Sequence, residues 1–235
     1  MKKYFITFGG PSENYHRAVV RLCEQARDFD LFDEVIGFTD HDLKDDAEFW
    51  ERHGDFMESH KRGYGYWIWK SYLNYKMLDR IEEGDIVVYC DSGCELRREY
   101  IQRMREYFDI VTNSDKGIIG MTLCFHERHW TKMDTFVAVG GTDFLNDDYQ
   151  VVATAVIYKK CANTVSLIPQ WYNLCCNHAI ITDAPSVLPN APDFIEHRHD
   201  QSVFSLLMKK HGFERLGYEI EEHQPVPIFA ARNVK

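Results

Sequence analysis

Apolar residues come first in short runs and then at helical spacing, and this alternation indicates the fold class. Residues 4–8 form an apolar run that ends in Gly9-Gly10-Pro11, the pattern of a buried strand entering a loop. Ala18, Val19, Leu22, Cys23 and Ala26 then recur at helical spacing within residues 15–29, and Glu34 to Thr39 reads as a second strand. Strand, helix, strand in this order predicts a parallel crossover unit.

Residues 41–60 are polar and acidic and predict a surface loop with a short helix. Tyr66, Trp69, Leu73 and Met77 lie three or four positions apart, giving a core-facing stripe on a helix that ends near Glu83-Gly84 and turns Lys70 and Asn74 another way. A strand over residues 85–90 and a helix over residues 98–108, with Ile101, Met104 and Phe108 on one face, come next. Runs at 117–123, 151–158 and 179–181 predict further strands. A last helix, 201–210, is bounded by Asp200 and by His211-Gly212. The expected architecture is one α/β domain over residues 1–235, with no internal repeat.

Composition fits that picture. A chain of 235 residues with 45% hydrophobic content can fill one substantial core. A net charge of −10 argues against a nucleic-acid partner, which needs clustered Lys and Arg. No run is long enough to span a membrane, and the apolar part of the N-terminus is too short for a signal peptide, so a soluble cytoplasmic protein is expected. The 7 cysteines are odd in number and lack Cys-x-x-Cys spacing, which predicts reduced, packed thiols.

Three segments carry candidate chemistry. Asp91 stands at the carboxyl end of a predicted strand, where open α/β sheets bind ligands, and Ser92-Gly93 allows close backbone approach. The same Asp-Ser-Gly is also ordinary turn chemistry. Upstream, Arg62-Gly-Tyr-Gly-Tyr-Trp-Ile-Trp-Lys70 is dense in aromatics; packing explains part of it, while Lys70 suits a diphosphate as a point charge. Near the C-terminus, Glu196-His-Arg-His-Asp-Gln-Ser202 precedes an apolar helix, so Asp200 is either a helix cap or a carboxylate able to accept a proton from a sugar hydroxyl. Weaker signals are Lys132 and Asp134 in a loop, Trp171 as a sugar-stacking ring, and His223 in the tail. P-loop, dinucleotide-binding, serine-hydrolase and zinc-protease motifs are all missing.

In order, the three blocks resemble small glycosyltransferases of the GT-A fold, of the sort found in chlorella viruses and in bacterial capsule or lipopolysaccharide loci. The resemblance covers roughly residues 1–215. It implies a Rossmann-like α/β/α domain with a mostly parallel, mixed central sheet, and, for a viral protein, a place in the host cytoplasm. Residues 1–95 would bind the nucleotide and residues 96–235 the acceptor. Thr7, Phe8, Gly9 and Tyr15 would hold the nucleobase and ribose of a UDP-sugar donor, with Trp67, Lys70, Asp91, Ser92 and Arg198 along the rest of the donor. The family's Asp-x-Asp motif bridges manganese or magnesium to the diphosphate. Here it keeps only its first carboxylate, because Gly93 replaces the second, so either Glu95 or a histidine such as His223 would supply the missing ligand, or the metal would be held weakly or not at all. Asp200 would be the base of an inverting transfer to a glycan acceptor; in a retaining one, Asp200 and Gln201 would bind sugar hydroxyls. Two other readings compete: a nucleotide- or carbohydrate-binding module without turnover, and a metal-dependent sugar-phosphate hydrolase using Asp91, Asp134 and Asp200.

Overall fold

A computed structural model describes residues 1–145, 148–221 and 225–234. The chain opens with β1 (Lys3–Gly9), α1 (Glu13–Asp28) and β2 (Glu34–Thr39). Ser12 caps α1 by accepting the Tyr15 N–H, and the stripe Ala18, Val19, Leu22, Cys23 and Ala26 is buried against the sheet. Three helices follow, α2 (Asp40–Asp45), α3 (Ala47–Ser59) and the single turn α4 (Gly63–Tyr66), and then α5 (Ile68–Arg80) and β3 (Ile86–Cys90). The second half comprises β4 (Glu95–Leu96), α6 (Ile101–Asn113), β5 (Ile118–His126), α7 (Glu127–Trp130), α8 (Met133–Val139), β6 (Tyr149–Val151), β7 (Ala155–Lys159), α9 (Ala162–Cys175), α10 (His199–His211), β8 (Glu214–Leu216) and β9 (Ile228–Phe229).

The central sheet has the order β2-β1-β3-β7-β5-β6, and β8 pairs with β5. β2, β1 and β3 are parallel; β7 pairs antiparallel with β3 and β5, β6 pairs antiparallel with β5, and β8 runs parallel to β5. Only β7 and β6 are therefore reversed, which makes the sheet mixed and mostly parallel. Side-chain alternation divides the core between its faces. Tyr4, Ile6, Phe8, Val87 and Tyr89 pack with α5, α9 and α10, whereas Phe5, Ile86, Val88 and Cys90 pack with α1 and α6. Both faces are covered, so β3 is buried along its whole length. Each large side chain buried there contributes about 1.5–3 kcal/mol.

Several segments differ from the sequence reading. Lys132 and Asp134, expected in a loop, stand at the cap and in the first turn of helix α8, because Thr135, Phe136 and Val139 are buried. Residues 41–60 lie almost wholly in two helices rather than in a loop with one short helix, because Leu43, Phe49 and Met57 reach the core and Asp46 caps α3 by accepting the Phe49 N–H. Helix α9 went unpredicted: Pro169 interrupts its pattern, yet Leu167, Ile168, Trp171, Tyr172 and Cys175 share one buried face. The run 179–181 is not a strand; His178–Ile180 is a 3-10 turn. The run 151–158 is divided between β6 and β7. Finally, α5 is buried on every side from Ile68 to Asn74, so Lys70 and Asn74 are as enclosed as the predicted stripe.

Candidate active site

The parallel strands β2, β1 and β3 end on one rim, at Thr39-Asp40, Gly9-Gly10 and Cys90-Asp91. Rims of this kind receive ligands in open α/β sheets. At the β3 end the Lys70 ammonium lies 3.0 Å from Asp91 Oδ1 and 3.8 Å from Asp200 Oδ2. The Tyr89 hydroxyl also donates to Asp91 Oδ1. Three blocks far apart in sequence thus meet at one buried lysine.

Burial alone would pull the Lys70 pKa down, but the carboxylates of Asp91 and Asp200 outweigh it and raise it, so the ammonium stays charged. Asp200 moves the other way. Burial and the nearby Asp91 charge push its carboxyl up to about 7 against the pull of Lys70, and Oδ2 is buried without a hydrogen-bond partner. The trio holds one cation against two carboxyl groups, and its only opening is at Asp91, whose side chain is 30% exposed.

Local backbone strain holds this arrangement in place. Gly63, Tyr64, Gly65, Tyr66 and Trp67 all have φ between 49 and 79, with Tyr66 N–H donating to the Arg62 carbonyl and Trp67 N–H to the Gly63 carbonyl. That is one left-handed helical turn, costly at about 1–2 kcal/mol for each non-glycine residue. His199, directly before Asp200, has φ 56, and its ring lies 5.3 Å from Trp67 in a near-parallel stack. The two strained segments brace one another where Lys70 and Asp200 converge. Strain of this sort concentrates at ligand sites.

The remaining predicted site residues are dispersed. Thr7 is fully buried and its hydroxyl lacks a hydrogen-bond partner, while Phe8 is buried 4.0 Å from Trp69, ring to ring. A side chain on Gly9 would meet Tyr15 O and Val19 at 2.7 Å, so close packing of α1 explains that glycine. Tyr15 is exposed on α1. The Ser92 carbonyl accepts from Arg21. Arg198 lies over the Trp130 ring and 3.3 Å from Glu196. Gln201 is held between Ala153 N–H and Gln150. Three weaker signals have structural explanations: Lys132 donates to the carbonyls of Ala179, Thr182 and Ala184, Asp134 accepts the N–H groups of Val187 and Leu188, and Trp171 is wholly buried, donating to the Asp200 carbonyl. Asp200 lies inside the first turn of α10, whose cap position is Arg198.

Asp91 suits the role of single protein ligand to a hard divalent ion. Its Oδ1 is engaged and Oδ2 has no partner among the described residues, and magnesium-type sites often combine one or two carboxylates with substrate phosphates. Glu95 accepts from Asn233, and a side chain at Gly93 would meet the Arg232 backbone at 3.3 Å. His223 lies outside the described residues.

One network escaped sequence reasoning. Glu127, completely buried, accepts from Thr131, Gln150, Ser205 and Lys209, and Gln150 donates in turn to Ser202. It fixes α10, and therefore Asp200, against α7 and β6. Glu127→Ala is expected to cost about 3 kcal/mol, because buried Lys209 would lose its close carboxylate and keep only Asp148, at 3.8 Å. Urea denaturation measures this, and a loss under about 1 kcal/mol would show that the network does not hold the helix.

No protein-family model matches the chain. A search of curated proteins likewise returns no match. Solved structures do match in fold. The galactosyltransferase LgtC, in complex with donor and acceptor sugar analogs, aligns with a TM-score of 0.52 and 11% identity over 92% of this chain and 74% of that chain. A glycosyltransferase involved in glycosylation of the major capsid of PBCV-1 aligns at TM-score 0.48 and 10% identity over 92% of this chain and 81% of that one. Mouse xyloside xylosyltransferase 1, in its apo form, aligns at TM-score 0.47 and 10% identity over 97% of both chains. The likeness to LgtC establishes the GT-A-like α/β/α fold.

Proposed function

We propose that this chain is a glycosyltransferase that moves a sugar from a UDP-sugar to a glycan acceptor. The observation that carries the reading is the placement of Lys70 between Asp91 and Asp200, at the carboxyl end of β3 and the start of α10. The donor diphosphate lies against Asp91, the open end of the trio. Because one ammonium already serves two carboxyl groups, the trio has no positive charge to spare for the leaving nucleoside diphosphate. A manganese or magnesium ion held by Asp91 would supply it, neutralising charge on the diphosphate.

Asp200, with a carboxyl near 7, takes the proton of the acceptor hydroxyl, and inversion at the anomeric carbon follows. Because Asp200 is buried, the side chains around it must open as the acceptor enters. Lys70 acts through both carboxyl groups, binding them together at fixed distances across its ammonium. Residues 1–95 then form the nucleotide side and residues 96–235 the acceptor side.

Isothermal titration with UDP, with and without manganese, tests the donor assignment. Binding is expected to tighten at least about tenfold with manganese in the wild type and to lose that gain in Asp91→Asn. Absence of UDP binding under either condition would overturn the reading.

A further inference from the structure

Two strands along the rim from Asp91, roughly 10 Å away by strand spacing, lies a cluster that the proposed transfer does not use. His16 projects from α1, and Asp40 and His41 open α2 at the end of β2. One ligand atom from each of His16, Asp40 and His41 lies within 4.8 Å of the other two, and this is the only group of three such side chains among the described residues. His16 Nε2 is 2.9 Å from Asp40 Oδ1. We propose that His16, Asp40 and His41 form a transition-metal site, distinct from the donor-site cation.

The donor set is two imidazoles and one carboxylate, which suits zinc, cobalt or nickel better than magnesium or calcium. Tetrahedral ligation at about 2.0–2.1 Å brings ligand atoms to roughly 3.4 Å from one another, a modest closing from separations that are all within 4.8 Å. Asp40 is prepared for the role. It is 3% exposed, and the Lys44 ammonium holds its Oδ2 at 2.8 Å, leaving Oδ1 toward His16. A carboxylate oriented by such an outer partner is the usual support of a bound metal. His41 is exposed and His16 half-exposed, so the remaining coordination positions face solvent and an ion can enter. The bound ion would tie α1 to α2 across the ends of β1 and β2.

Cobalt(II) is the probe, because its visible absorption reports tetrahedral or five-coordinate nitrogen and oxygen ligation. The wild type is expected to bind one equivalent with this signature, and its Tm is expected to rise as cobalt is added. His41→Gln and His16→Gln should each weaken binding at least about tenfold; the first alters an exposed side chain and leaves the fold intact by circular dichroism. Asp91→Asn should retain the signal, which separates this site from the donor-site cation. No one-equivalent signal in the wild type, or an unchanged signal in His41→Gln, would overturn the proposal.

Discussion

Asp200→Asn is expected to abolish sugar transfer, lowering kcat/KM by about 10²–10⁴-fold, and at the same time to stabilise the protein above pH 7. The two effects share one cause. In the folded chain the Asp200 carboxyl is pushed up to about 7 from an ordinary value of 3.8, mainly by burial. Between those values the folded state holds a proton that the unfolded state releases, so stability falls as pH rises from about 4 to about 7 and is lowest above 7. A shift of this size corresponds to roughly 4 kcal/mol. Asn has no charge to desolvate and should recover about half of that, since Lys70 loses a partner in the exchange. Activity runs the opposite way: the base must be ionised, so wild-type kcat/KM should climb about tenfold per pH unit and level off near 7. Calorimetry at two pH values and a pH–rate profile check both halves. A flat profile, or Asp200→Asn retaining wild-type turnover, would remove Asp200 from the role of base.

Lys70→Met is expected to be the most destabilising change at the site, at about 3–5 kcal/mol, because it leaves two carboxyl groups facing each other without their cation. At about 2–4 °C per kcal/mol for a chain of this size, the melting temperature should fall by roughly 6–20 °C. Lys70→Met combined with Asp200→Asn should recover at least about 1 kcal/mol of the loss, as expected for groups in direct contact. A Lys70→Met protein as stable as the wild type would show that the ammonium does not bind the trio together.

Much of the first half of the chain was legible because its signals are local. The apolar runs of β1 and β3 and the stripe on α1 are read directly from periodicity, and Asp91 is found from its place after a strand. That Lys70, Asp91 and Asp200 are functional candidates could also be read. Their meeting could not, since it depends on α10 packing beside α5 and on a left-handed turn at residues 63–67 that two glycines only hint at. Elsewhere a local rule misled. Pro169 stands as a helix breaker inside α9, although the buried face of that helix has plain helical spacing. Asp200 before an apolar run resembles a cap, yet the cap position is Arg198 and Asp200 is the second residue of the helix, after the left-handed His199. Lys132 and Asp134 look like solvated loop charges, but each is occupied by backbone groups of residues 179–188. Glu127 carried no motif, because apart from Thr131 its partners are distant in sequence: Gln150 on β6, and Ser205 and Lys209 on α10.

Turnover of a nucleotide sugar is the central claim, and release of UDP from a panel of UDP-sugars in the presence of manganese tests it without knowledge of the acceptor. Slow hydrolysis of one or two donors by the wild type is predicted, with UDP release reduced at least about a hundredfold in Asp91→Asn. A wild-type protein that binds UDP but releases none from any donor would be a nucleotide-binding module, and the assignment as a glycosyltransferase would be contradicted.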